Sequence, residues 1–269
     1  MDTNNSAKVA ALFDNIWQNY LEVTPSAHQI HQLLGAGHDL VNDHVAYRTF
    51  NSEPVNLAKL AQHFIHLGYK ECGEYHFNSK HLYAKHYEHS NSTLPKVFIS
   101  ELLVEKLSPQ AQTIINSLVV TIKAGVVGQH DFLYSGTHWQ ISHQDYQTLL
   151  AESEYAAWLS AWGYRANHFT VSINHLQNFD NILAVNEAVK AGGFKLNTAG
   201  GEIKGDAGVM LEQSSTLADK MEVNFSDKTV AIPSCFYEFA QRYPLSNGEL
   251  YTGFVAASAD KIFESTNVT

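Results

Sequence analysis

A chain of 269 residues with 45% hydrophobic and 16% charged side chains has the make-up of a globular protein with a substantial core, which argues against disorder. Its formal net charge of −10, from 17 Lys+Arg against 27 Asp+Glu, argues against a nucleic-acid partner, and no basic run suits an anionic membrane surface. No apolar run approaches a membrane span, and residues 1–6 lack the basic and apolar regions of a secretory signal, so a cytoplasmic location is expected.

Residues 6–23 read as an amphipathic helix, with Val9, Leu12, Phe13, Ile16, Trp17 and Tyr20 at three- and four-residue spacings. Ser26 is the expected N-cap of a second helix that stops at Gly35-Ala36-Gly37. Residues 41–50 read as a strand, and 56–67 as a helix with Leu57, Leu60, Ala61, Phe64 and Ile65 on one face. Extended runs follow at 75–77, 81–85 and 96–103, giving a βαβββ order. Residues 109–162 read as mostly helical, with Ser142 or His143 opening one long helix that carries Trp158 and Trp162. The first order then returns: a strand at 168–174, a helix at 179–191, and extended runs at 195–199, 209–213 and 229–240. The expected fold class is α+β. Paired βαβββ units, at about 41–105 and 165–242, form a curved sheet around a metal site, with N-terminal helices and a helical insert at about 109–162, all in a single domain spanning 1–269.

The two copies echo each other in chemistry as well as pattern. Asp43-His44-Val45-Ala46-Tyr47-Arg48 and Asn167-His168-Phe169-Thr170-Val171-Ser172 each carry a histidine just inside a strand, and each is followed by a helical pattern ending in Gly-aromatic-Lys. A lone strand histidine is most often a packing residue; a matched pair in a repeat points to shared ligation. Each copy also ends in a strand with one carboxylate in an apolar setting, Glu101 and Glu238, which is costly to bury unless paired or bound to metal. Two imidazoles and one carboxylate form the facial triad of non-haem Fe(II) oxygenases. His44, His168 and Glu238 are that set, and Glu101 is a candidate fourth ligand. Strand alternation places Arg48 on the His44 face, about 13 Å along the backbone. That is too far to share an atom but suited to the far end of a small anionic ligand.

Other candidates are weaker. Residues 200–205, Gly-Gly-Glu-Ile-Lys-Gly, lack the Lys-Ser/Thr ending of a phosphate loop and read as a lid or hairpin. His81, His86 and His89 fall in a polar segment expected to be a solvated loop. Cys72 and Cys235 form no CxxC pattern and read as free thiols.

The motifs at 43–50, 167–170, 237–242 and 253–255 running to 260–266 resemble the 2-oxoadipate dioxygenase/decarboxylase (hydroxyglutarate synthase) family, of vicinal-oxygen-chelate architecture. The resemblance implies that His44, His168 and Glu238 hold Fe(II), with Zn or Ni as occupants of a purified sample. It implies that Arg48 binds a substrate carboxylate, that His44 borders the substrate, and that backbone around Val255 closes the pocket. The implied reaction is 2-oxoadipate plus O2 to 2-hydroxyglutarate plus CO2, in lysine catabolism, with the substrate supplying its own electrons. Two other readings stand beside it. One is a glyoxalase-like metal-dependent isomerase or hydrolase using Glu101 as fourth ligand or base; the other is a non-catalytic small-molecule-binding protein.

Overall fold

A computed structural model describes residues 3–266. Two helices, α1 (Thr3–Val23) and α2 (Pro25–Gly35), precede a first unit of β1 (Asn42–Phe50), α3 (Leu57–Ile65), β2 (Lys70–Phe77), β3 (Leu82–Glu88) and β4 (Lys96–Leu102). Helices α4 (Pro109–Val119), α5 (His143–Glu152) and α6 (Glu154–Trp162) follow. The second unit holds β5 (Ala166–Ser172), α7 (Ile182–Ala191), β6 (Lys204–Asp206), β7 (Leu211–Ser215) and β10 (Phe236–Arg242), with the hairpin β8 (Lys220–Asn224) and β9 (Thr229–Pro233) inserted before β10. A last helix, α8 (Ala256–Ile262), runs into a 3-10 turn at Phe263–Thr266.

One curled eight-stranded sheet has the order β2-β3-β4-β1-β5-β10-β7-β6. Its halves mirror each other about the seam between β1 and β5. These two strands are antiparallel, while β1 runs parallel to β4 and β5 parallel to β10. One face is apolar: Val45, Tyr47, Val97, Ile99, Phe169, Val171, Tyr237 and Phe239 are buried beneath the helices that cover it. Trp17 of α1 packs against Phe169 and Tyr237, and Tyr47 against Phe64 of α3. The opposite face carries His44, Arg48, His168 and Glu238. Helix α8 lies against β2 of one half and β6 and β7 of the other, so it closes that face from both sides.

Several expectations at the element level need correction. The long helix of the insert is two, because Ser153 leaves helical geometry and caps α6 through the Ala156 amide. Residues 195–199 make only a bridge, Leu196 to Thr216, and the strand falls at Lys204–Asp206 after the Gly200-Gly201 turn. The run expected at 229–240 is two strands in different sheets, parted at Ser234-Cys235. Thr24, not Ser26, stands at the α2 N-cap, where Pro25 follows it. His86 is not in a loop: it lies in β3 and is 2% exposed.

Candidate metal centre

Register across the seam explains why the three residues meet. In β1–β5 pairing His44 stands opposite Thr170, and Ala46 opposite His168. In β5–β10 pairing Thr170 stands beside Glu238. His44 and Glu238 therefore flank a small residue, Thr170, in one row across the sheet, and His168 enters from the adjacent row. His168 Nε2 lies 3.1 Å from Glu238 Oε2, and His44 Nε2 lies 3.8 Å from Oε1. All three residues are buried, and their ligand atoms fall within 4.8 Å of one another.

The hydrogen bonds around these rings determine what can occupy the space between them. His44 Nδ1 meets Asp43 Oδ1 at 2.8 Å, and His168 Nδ1 meets Asn167 Oδ1 at 3.0 Å. An oxygen acceptor at Nδ1 requires the proton there, which leaves each Nε2 lone pair aimed inward. Burial lowers the His168 pKa against the opposing pull of Glu238, so the ring is neutral. Burial works to raise Glu238, but the charge that His168 and His44 carry when protonated outweighs it, and the carboxyl sits below its usual range, ionised. With each ring carrying its one proton at Nδ1, Glu238 Oε2 meets no donor, and two lone pairs and a carboxylate face one another and repel. A cation removes that repulsion, and the donor set suits a divalent metal.

Both orienting residues occupy irregularities in the ladder. Asn42 and His44 pair with Val171 and Thr170, so Asp43 is an extra residue on β1. Ala46 and Tyr47 pair with His168 and Ala166, so Asn167 is extra on β5. A bulge re-aims the side chain it adds, and here each turns an acceptor towards the following histidine. Asp43 is held in turn by Arg242, with Nε to Oδ2 at 2.6 Å and Nη2 to Oδ1 at 2.8 Å. Burial alone would raise Asp43; the Arg242 guanidinium holds it well below the carboxylate range. Arg242 also donates to the carbonyls of Tyr251 and Gly253, fixing the loop that lays Phe254 edge-on against His44. Gln213 donates to Glu238 Oε1 at 2.5 Å, and Thr170 Oγ1 lies 3.0 Å from His44 Nε2. Sequence pattern alone assigns Asp43, Asn167, Thr170, Gln213 and Arg242 no role. The Asp-His and Asn-His dipeptides were the available signal for two of them.

Glu101 is not part of this centre. It stands beside Thr49, on the face opposite to His44, and its Oε2 accepts the Leu57 amide at the start of α3. Phe98, 5% exposed, lines the site from β4 instead. Arg48 lies on the His44 face, sandwiched by Tyr155, Trp158 and Phe263, and its Nη1 and Nη2 donate to Glu154 (2.9 Å) and Thr266 (3.0 Å). Its charge reaches His168. Val255 does not line the cavity: it precedes α8, its carbonyl accepting the Ser258 and Ala259 amides, and Phe254 beside it faces the triad. Phe98, Phe254, Ala259, Ile262 and Phe263 close the cavity over the three ligands to ≈20 Å³, room for about one water. A second cavity of ≈240 Å³, lined by Lys80, His81, Glu154 and Tyr155 among others, shares Phe263 with it.

Paired βαβββ units sharing one curled sheet, with a buried His-His-Glu cluster at their seam, place the protein in the paired-βαβββ fold class with a candidate metal site. The family model for 2-oxoadipate dioxygenase/decarboxylase matches residues 3–127 and 130–249. The chain is 36% identical to the 2-oxoadipate dioxygenase/decarboxylase of Oryza sativa subsp. japonica over 95% of its own length and 78% of the relative's. It superposes on the Oryza sativa hydroxyglutarate synthase solved with 2-oxoadipate with TM-score 0.91, at 34% identity, covering 99% of this chain and 94% of that one. A hydrolase candidate from Shewanella frigidimarina, 58% identical, superposes with TM-score 0.90, covering 93% and 98%. The chain belongs to the 2-oxoadipate dioxygenase/decarboxylase family, a family of enzymes. Among the described residues no helix is long and apolar enough to cross a membrane.

Proposed function

We propose that this chain is an Fe(II)-dependent dioxygenase that converts 2-oxoadipate and O2 to 2-hydroxyglutarate and CO2 in lysine catabolism. The observation that carries the reading is the pair of inward Nε2 lone pairs facing the ionised Glu238 in a site with three protein ligands. His44, His168 and Glu238 would hold the metal. Iron held by these three residues would supply the redox centre for the reaction of the 2-oxo acid with O2. Asp43 and Asn167 accept at Nδ1 of the two imidazoles and so turn each Nε2 towards the metal position, and Gln213 keeps Glu238 from turning away. Arg48 would take the distal carboxylate of the substrate, a task suited to a guanidinium clamped flat between aromatic rings. Phe98, Phe254, Ile262 and Phe263 exclude water from the reacting atoms.

A six-carbon acid does not fit a cavity of ≈20 Å³, so substrate admission requires the 254–266 segment to shift. Phe263 separates the small cavity from the larger one, and Thr266 and Glu154 occupy Arg48, so these are the groups the substrate would displace. The isomerase reading that used Glu101 loses its fourth ligand, because Glu101 faces α3. Anaerobic loading with Fe(II) and 2-oxoadipate followed by air tests the proposal. Oxygen uptake with matched 2-hydroxyglutarate and CO2 is expected; no uptake with any five- or six-carbon 2-oxo acid would sink it.

A further inference from the structure

We propose that Cys72, His86 and Glu88 form a second metal site, for a thiophilic divalent cation of the Zn(II) kind, at the outer edge of the sheet. The ligand atoms of these three side chains lie within 4.8 Å of one another. His86 and Glu88 alternate onto one face of β3, and His86 Nε2 is 3.0 Å from Glu88 Oε1. That spacing is close to the edge of a tetrahedron with bonds of about 2.0–2.2 Å. Cys72 reaches them through a bulge. Glu71 pairs with Tyr87 and Gly73 with His86, so Cys72 is the extra residue of β2. Asp43 and Asn167 are delivered to the triad by the same device.

The surroundings are built to hold the imidazole. A Cβ at Gly73 would lie 2.9 Å from the His86 ring and 2.9 Å from the Tyr75 hydroxyl, so only glycine admits the ring in this place. Tyr75 O lies 2.8 Å from His86 Nδ1 and also accepts the Phe254 amide. The phenol oxygen can accept Nδ1–H, which frees Nε2 for a metal, and so supplies the outer partner that ligating histidines use. Glu88 also lies within reach of the positive charges of Lys96 and Arg242. These oppose a hard cation held by charge alone, so the sulfur bond must contribute, which selects a thiophilic ion. Cys72 is exposed, and burial together with Glu88 pushes its thiol up, so at neutral pH it is protonated. Binding then exchanges a proton for the ion: the S–H bond breaks, the S–metal bond forms, and one proton leaves to solvent. Three protein ligands leave a fourth position to water on the exposed side.

Cobalt(II) titration of the full-length protein separates this site from the triad, because the triad has no sulfur. Cys235, the other cysteine, is buried against the Ala166 carbonyl. The expected result is two equivalents of Co(II), one of which brings a near-ultraviolet thiolate-to-cobalt charge-transfer band. Cys72→Ser should abolish the band and one equivalent, Glu88→Gln should weaken that equivalent at least tenfold, and His168→Ala should leave the band intact. Absence of a sulfur band at saturating Co(II) overturns the proposal. So does a band of undiminished affinity in Glu88→Gln, which would mean a surface thiol binding alone. Cys72 is exposed and Glu88 partly so, and neither readout depends on a fully buried substitution.

Discussion

Phe98 holds in β4 the register position that Glu238 holds in β10. Each stands beside the residue two places after its half's histidine: Phe98 beside Ala46, and Glu238 beside Thr170. The duplicated sheet thus offers a place for a second carboxylate and fills it with a phenyl ring, so β4 supplies no fourth ligand. Phe98→Glu should supply one. The apo variant should lose about 3 kcal/mol or more, because a core ring is removed and an unpaired acid buried. Divalent metal should restore much of that loss and bind more tightly than in wild type, while oxygen uptake with 2-oxoadipate falls to background. Thermal unfolding with and without metal, set beside oxygen-electrode traces, checks all three. Unchanged oxygen uptake would show that the β4 side is not where reactants bind.

Asn167 gives a second prediction. Its Oδ1 is the acceptor that holds the His168 tautomer, and its own amide nitrogen has no partner. Asn167→Ala should therefore cost little stability but lower metal affinity about 10- to 100-fold, as loss of an outer partner does. Competition against a chelator of known affinity measures it. Affinity within twofold of wild type would mean that packing against Phe236, on which the His168 ring stacks at 4.5 Å, already fixes the imidazole.

Arg48 and Glu154 make opposite predictions for one constant. Their ion pair is buried on the arginine side and partly open on the glutamate side, at 1% and 18% side-chain exposure. If Arg48 takes a substrate carboxylate, Arg48→Met should raise KM for 2-oxoadipate about 30-fold or more, the low end of the cost of truncating a buried charge partner. Glu154→Gln should lower KM, because it removes the carboxylate that competes for the guanidinium. Steady-state oxygen uptake with 2-oxoadipate and with a monocarboxylate 2-oxo acid decides this. Arg48→Met should affect the dicarboxylate far more, and equal effects on both would assign Arg48 to packing.

The triad was legible in the sequence because its three members sit in a duplicated pattern, and the repeat supplied the comparison that a single chain otherwise lacks. Glu101 reads from the sequence as a candidate fourth ligand, and the register shows why it stands apart from the triad. A carboxylate one residue out of phase with Phe98 faces the helix side, and the pairing of Lys96 with His44 that sets this phase is a long-range fact. Bulges hid Asp43, Asn167 and Cys72 in the same way, since an extra residue reverses the alternation on which strand reading rests. His86 reads as a loop residue because Lys85, Glu88 and His89 make its neighbourhood polar, whereas the ring itself is buried under Phe254. The closure of the site by Ile262 and Phe263 depends on α8 reaching across both halves, which no local pattern encodes.

Lys204 gives a pH prediction that does not pass through the ligands. Its ammonium is enclosed, donating to the carbonyls of Asn197 at 2.5 Å and Glu202 at 3.4 Å. Burial lowers its pKa to about 8, with Glu238 and Glu202 opposing. An unfolded lysine titrates near 10.4. Below about pH 8 both states carry the proton, and the cost of enclosing the charge is fully present. Between about 8 and 10 the folded state gives up its proton while the unfolded state keeps it, so this group's contribution to stability rises with pH across that window. Buried tyrosines and Cys235 act in the opposite direction at high pH, so the difference between wild type and Lys204→Met isolates the effect. Urea midpoints measured at pH 7 and 9.5 should show the wild type gaining on the variant as pH rises. A constant difference would mean that Lys204 stays charged in the folded protein throughout, held by Glu238 and the two carbonyls.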